Sequence, residues 1–185
     1  MLQDIIVIDD FFKDPDNIVE FANQQVFEEN DFEKTKFYWR GLRTNELHTI
    51  DMQRTNKITD EFFERIFHDN FKKGVKYILN YEWSAEFYFH KIPSILNFTY
   101  KWIHKDQSIY AGVVYLNKNP PSDTGTFIIK KDEKISIENK YNRLVLYNSD
   151  YLHSPMGGFE EGENSRLTLN IFINSISINL GKNNE

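Results

Sequence analysis

The 185-residue sequence contains no cysteine, which excludes disulfides and thiolate metal sites and leaves the compartment open. It has no apolar run approaching the ~20 residues that a membrane span needs. The opening Met1-Leu2-Gln3-Asp4 carries no basic stretch, and the apolar run Ile5 to Ile8 is too short for a signal peptide. A soluble, cytoplasmic chain with no membrane partner is the expectation. There is no excess of basic charge either. The formal charge of −6 argues against broad nucleic-acid binding through phosphates, which demands a basic surface. A local basic cluster, Lys34, Lys36, Arg40, Arg43, Arg54 and Lys57, reads as solvated loop and helix positions. No internal repeat, low-complexity segment or domain boundary stands out.

What the chain does have is aromatic residues, 16% of its length, beside an ordinary charged fraction, and that composition folds rather than stays disordered. Its length suits one domain with one substantial core. Residues Asp4 to Phe12 read as a buried strand. Asp14-Pro15-Asp16 then opens a helix: Asp14 caps, Pro15 fits the first turn, and Asp16 suits the positive end of the dipole. Ile18, Phe21, Ala22 and Val26 continue it at helical spacing to about Glu28. The polar segment Asn30 to Asn56 reads as a long loop near the mouth of a site. A second helix is expected from Thr59 to about Leu79, its phenylalanine stripe serving as core.

From Glu82 onward the pattern is strands. They are expected at Glu86 to Lys91, Asn97 to His104, Ser108 to Asn117, Thr124 to Lys130, Lys134 to Glu138, Arg143 to Tyr147 and Arg166 to Asn174, the last with an extension over Ser175 to Leu180. Lys118 to Asp123 is a turn around Pro120-Pro121, and the tail Gly181 to Glu185 should fray. Two helices followed by seven or eight strands predict a mainly β (α+β) fold, a sandwich or jelly roll with the helices on one outer face. Residues 1–80 would supply the first strand and supporting helices, and 82–180 the β core.

The chemistry centres on Trp102-Ile103-His104-Lys105-Asp106-Gln107. Alternation in a strand points His104 and Asp106 to one side, roughly 7 Å apart along the backbone, where an imidazole and a carboxylate can converge on one metal. A His-x-Asp pair alone arises easily by chance. Order and spacing strengthen it: His153 follows several strands later, in a Ser-Asp-rich turn, and Arg166 opens the strand after that. Two histidines and a carboxylate on one side of an ion suit non-haem Fe(II) that activates oxygen. Arg166 offers a planar fork for the carboxylate of a co-substrate, and Thr168, on the same face, would add a hydroxyl to its binding. His48, His68 and His90 read as ordinary surface or core histidines.

Further residues carry a family resemblance: Tyr115-Leu116-Asn117-Lys118, Gly125-Thr126-Phe127, Asn142-Arg143-Leu144 leading to Ser149-Asp150, then His153 and Arg166. Over about Tyr100 to Asn174 the chain resembles the Fe(II)/2-oxoglutarate-dependent dioxygenases of the prolyl-hydroxylase type. The resemblance implies a double-stranded β-helix (jelly roll). It implies iron held by His104, Asp106 and His153, and 2-oxoglutarate held through its far carboxylate by Arg166 and Tyr115, with Thr126 as a weaker candidate. With O2, the co-substrate would yield succinate and CO2 as a substrate, not identified by the resemblance, is hydroxylated. Asp106 favours hydroxylation over halogenation. A second arginine typical of nucleic-acid demethylases is missing from the final strand. The gap from His153 to Arg166 is longer than in many prolyl hydroxylases, and Thr124-Gly125 stands where Gly-Gly is common.

Two other readings remain at this point. One is a non-catalytic jelly-roll module that binds a ligand in its cavity. The other is a cupin-like metal enzyme without 2-oxoglutarate, which would call for an extra Glu and a denser histidine cluster. The substrate stays open among protein side chains, free amino acids and small metabolites. Selectivity would lie in Asn30 to Asn56 and in the acidic turn after Met156.

Overall fold

A computed structural model describes residues 3–29, 41–71, 78–92, 103–122, 124–156 and 165–180, with side chains described for all of these except 68–71, 78–80 and 178–180. In chain order the elements are β1 (Ile5–Ile8), α1 (Pro15–Asn23), β2 (Glu28–Glu29), β3 (Leu42–Arg43), α2 (Leu47–Ile50), α3 (Met52–Phe71), β4 (Ile78–Ile92), β5 (Tyr110–Tyr115), β6 (Thr126–Lys130), β7 (Glu133–Ile137), β8 (Leu144–Asn148), β9 (Leu152–Pro155) and β10 (Arg166–Leu180).

Strand β10 organises the sheet. Its period-2 pattern turns Leu167, Leu169, Ile171 and Ile173 to one side and Arg166, Thr168, Asn170 and Phe172 to the other. It pairs with β4 on one edge and β5 on the other, within a seven-stranded sheet ordered β1-β8-β5-β10-β4-β3-β2. A second sheet, β7-β6-β9, has three strands, and every pairing in both sheets is antiparallel.

The two faces of the large sheet bury different partners. Outward, Leu169, Ile171, Phe87 and Phe89 pack under α1 and α3. The phenylalanine stripe of α3 docks there edge-on and by stacking: Phe62 lies 5.7 Å from Phe87, and Phe63 lies 4.4 Å from Trp83. Each such fully buried ring stabilises the fold by roughly 1.5–3 kcal/mol. Inward, Val113, Tyr115, Val145 and Tyr147 meet Ile128 and Ile137 of the small sheet. Two facing antiparallel sheets with helices on one outer side make a jelly roll.

The boundaries depart from sequence expectation where polar residues are buried or apolar ones are not. Helix α3 begins at Met52 rather than Thr59. Thr55 and Thr59 are buried in it, their hydroxyls bonded back to the carbonyls of Asp51 and Asn56 at 2.7 and 3.0 Å, so a search for apolar positions misses these turns. It ends at Phe71, and Ile78–Leu79 belong to β4. Helix α1 stops at Asn23, and the next stripe position, Val26, is 76% exposed. The expected loop Asn30 to Asn56 holds β3, α2 and the start of α3 from residue 42 onward, while residues 30–40 lie outside the described residues. Also outside them are residues 97–102 of the strand expected to lead into His104, the acidic turn 157–164 and the tail 181–185. Strand β4 runs to 15 residues, far beyond Glu86 to Lys91, and the extension of β10 to Leu180 is present.

Candidate metal centre and inner-face site

His153 lies in β9, not in a turn, and it pairs with Ile128 of β6. Facing pairs share a side of a sheet, and Ile128 is fully buried between the sheets, so the His153 ring points into the roll. His104 sits opposite as an isolated antiparallel bridge to His153. Two residues on, the Asp106 N–H donates to the Ser149 carbonyl at 3.3 Å, which returns its carboxylate to the same place.

The three groups converge. Nε2 of His153 is 3.1 Å from Oδ2 of Asp106, and Nε2 of His104 is 3.6 Å from Oδ1. One ligand atom from each of the three lies within 4.8 Å of the others. Exposure runs from 5% for the His153 side chain through 16% for Asp106 to 52% for His104, so the cluster spans from the interior to the mouth of the roll. Nδ1 of His153 is 3.0 Å from the Tyr151 carbonyl. A carbonyl only accepts, so Nδ1 donates to it, and Nε2 is the nitrogen turned to the carboxylate and the one a metal would use. Burial opposes ionisation of Asp106, but His153, His104 and Arg43 outweigh it and hold its carboxyl below the usual range. An anionic carboxylate between imidazole nitrogens is a donor set for a divalent cation.

Deeper in the roll, Arg166 is buried, stacked with its guanidinium carbon 5.3 Å from the centre of the Tyr115 ring. Both Arg166 (Nη2, 3.3 Å) and the Tyr115 hydroxyl (2.8 Å) donate to Thr126 Oγ1. Thr126 is fixed by its neighbour Gly125, where a Cβ would come within 1.7 Å of the Ile137 carbonyl oxygen. Burial pushes the Arg166 guanidinium down, partly offset by Tyr115, and pushes the Tyr115 hydroxyl up, so arginine beside a neutral phenol is the stable state. Among the described residues, Nε of Arg166 is buried with no hydrogen-bond partner. Leaving such a donor unsatisfied costs roughly 1–3 kcal/mol, more for a charged group, and a carboxylate would satisfy it. Thr168 shares this face; its hydroxyl donates to Asn170 Oδ1 at 2.7 Å.

Sequence reasoning missed the opposite end of the same face. Cross-strand pairing sets Arg43, His90, Thr168 and Tyr115 in one row across β3, β4, β10 and β5. Arg43 is therefore not a solvated loop position. Its guanidinium lies 4.9 Å from the centre of the Tyr88 ring and 5.4 Å from that of Phe172. Burial pushes it down to about 10, against the supporting charges of Tyr88, Asp106 and Glu86. His90 is buried, with Nδ1 3.3 Å from Nδ2 of Asn170. Gly41, at φ +90°, lets β3 approach; a Cβ there would lie 2.4 Å from the Lys91 carbonyl oxygen. The one signal in the sequence was Arg43 directly after Gly41-Leu42, too slight to mark a two-residue strand.

No protein-family model matches the sequence, and no curated protein matches it. Solved structures match by fold. One is a Pseudomonas putida prolyl-4-hydroxylase, at 13% identity and a TM-score of 0.54, covering 92% of each chain. Another is HygX from Streptomyces hygroscopicus, with nickel and 2-oxoglutarate bound, at 10% identity and a TM-score of 0.61, covering 92% of this chain and 82% of HygX. A third is a Trichoplax adhaerens prolyl hydroxylase in complex with a hypoxia inducible factor peptide, at 13% identity and 0.54, covering 92% and 83%. The fold of this chain is the jelly roll that these oxygenases share.

Proposed function

We propose that the chain is an Fe(II)- and 2-oxoglutarate-dependent dioxygenase that hydroxylates a protein side chain or small molecule. The observation that carries this reading is the shared inner face. A two-histidine, one-carboxylate set within 4.8 Å shares that face with a buried arginine whose Nε has no hydrogen-bond partner among the described residues.

His104, Asp106 and His153 would hold the metal from one side and leave its other positions to co-substrate and oxygen. Arg166 and the Tyr115 hydroxyl would take the far carboxylate of 2-oxoglutarate. When bound, iron with 2-oxoglutarate and O2 supplies an oxidant, and succinate and CO2 are released. The chain's own residues do the rest. The Tyr151 carbonyl keeps the His153 proton on Nδ1. Thr126 keeps Arg166 and Tyr115 aimed together. Tyr147, buried with its ring centre 4.6 Å from that of His153, packs against the imidazole. HygX, solved with nickel and 2-oxoglutarate bound, supports this choice of ligands.

The test is turnover without added substrate. Purified protein supplied with Fe(II), 2-oxoglutarate and oxygen should release succinate, and His104→Ala, Asp106→Ala or His153→Ala should each abolish the release. No succinate from the wild type, with no binding of 2-oxoglutarate, would leave a ligand-binding module as the better description.

A further inference from the structure

Tyr147 lies on the inner face at the metal end, and no step described above uses its hydroxyl. The register of β8 on β5 sets Tyr147 beside Ala111 and Val145 beside Val113. Tyr115 follows Ala111 by four residues on the same strand and the same face, roughly 13 Å along it. Between the two tyrosines the floor is Val113 and Val145, which belong to the same buried cluster as both rings. The strip therefore has a phenol at each end and an apolar middle. At the Tyr115 end stand Arg166 and Thr126. At the Tyr147 end stands the His153 imidazole, 4.6 Å away between ring centres.

The two phenols differ in one respect. Tyr115 donates to Thr126, whereas the Tyr147 hydroxyl has no hydrogen bond among the described residues, although the residue is only 3% exposed. The polar atoms beside it are engaged elsewhere. Nδ1 of His153 is held by the Tyr151 carbonyl, and its Nε2 faces Oδ2 of Asp106, whose Oδ1 faces His104. A phenol is protonated at neutral pH and can donate. Burial pushes the Tyr147 hydroxyl further up, with Asp106 and Tyr115 adding to the effect and Arg166 opposing it, so groups at both ends of the strip act on it. A buried donor without a protein partner takes its acceptor from whatever fills the cavity. 2-Oxoglutarate is polar at both ends and apolar between, the same order as the strip.

We infer that the Tyr147 hydroxyl donates to the 2-oxo acid end of the co-substrate, so that 2-oxoglutarate is held by a tyrosine at each end. Tyr115 serves the far carboxylate with Arg166, and Tyr147 serves the end that meets the metal. Packing of its ring on His153 fixes the hydroxyl beside the metal ligands. This rests on the dioxygenase reading and adds a binding residue to it.

The test compares the full chain with Tyr147→Phe, which keeps the ring against the imidazole and removes only the hydroxyl. Calorimetric titration of the Zn(II)-loaded proteins gives the affinity for 2-oxoglutarate. Anaerobic titration of the Fe(II)-loaded proteins gives the position of the charge-transfer band, which reports the 2-oxo acid end. Tyr147→Phe should weaken 2-oxoglutarate binding about 5- to 10-fold, the effect of one lost hydrogen bond. It should also move the band to shorter wavelength, because a donor to the oxo acid lowers its acceptor level. Zn(II) affinity should stay within about twofold. Arg166→Met, acting at the far carboxylate, should weaken binding and leave the band where it is. Tyr147→Leu repeats both measurements if the Phe variant melts early. Affinity within about twofold of the wild type, or weaker binding with an unmoved band, overturns the inference and leaves the dioxygenase reading standing. A wild type that binds no 2-oxoglutarate overturns both.

Discussion

His104 and His153 exchange backbone hydrogen bonds in both directions, at 3.1 and 2.9 Å, and their ring centres lie 4.4 Å apart. Two residues nearly fifty positions apart are thus locked side by side by the backbone alone, before any ion binds. A site built in advance loses little ordering entropy on metal binding, and that free energy appears as stability. At a Ni(II) concentration 100 times its Kd the gain should be about 2.7 kcal/mol, or a rise in Tm of about 5–10 °C for a chain of this size. Calorimetry with and without Ni(II) checks this. Asp106→Ala should lose the shift.

Arg166→Met should weaken 2-oxoglutarate binding by about 30-fold or more, because a buried ion pair would be cut at one partner, a loss of roughly 2–5 kcal/mol. Tyr115→Phe removes one neutral donor and should cost about 1 kcal/mol. Isothermal titration of the Zn(II)-loaded variants measures both. Equal effects from the two would mean that Arg166 does not carry the charge recognition.

Asn142 should prove structural. Its Oδ1 accepts from the Phe12 N–H at 2.9 Å, and its Nδ2 donates to the Phe12 carbonyl at 2.8 Å. It also takes a positive φ of 58°. Asn142→Ala strands two buried backbone groups and strains φ, so a loss of about 2–4 kcal/mol is expected in urea unfolding. Metal and 2-oxoglutarate affinities should be unchanged in the folded fraction.

The acid limb of stability should depend on Asp9. Hydrogen bonds from Arg143, first, and Lys140 lower its pKa to about 2. A depressed folded-state pKa contributes stability that is complete above the ordinary carboxylate range, near 3.9, and is lost as pH falls through about 2. Its side chain is 38% exposed, so solvent screening keeps the contribution below about 1 kcal/mol. Asp9→Asn should flatten the stability profile between about pH 4 and 2 and leave its shape near neutrality alone. An unchanged acid limb would show the pair to be inert.

Much of this was legible in the sequence. The alternation of β10 separates Leu167 to Ile173 from Arg166 and Thr168, and both faces are found where that pattern sends them. The His-x-Asp pair and His153 were readable from order along the chain. Arg43 and His90 were not. Each acquires meaning only from cross-strand neighbours far away in sequence, His90 from Thr168 and Arg43 from His90. The first turns of α3 were hidden because Thr55 and Thr59 satisfy their hydroxyls within the helix. His153 read as a turn residue because β9 is four residues long and ends in Ser-Pro.

The most direct measurement is an anaerobic titration of the Fe(II)-loaded chain with 2-oxoglutarate, followed by visible absorption. The account predicts a charge-transfer band that saturates near one equivalent, is missing in His153→Ala, and needs far more co-substrate in Arg166→Met. A wild-type protein that takes up iron and develops no such band at any 2-oxoglutarate concentration would contradict it.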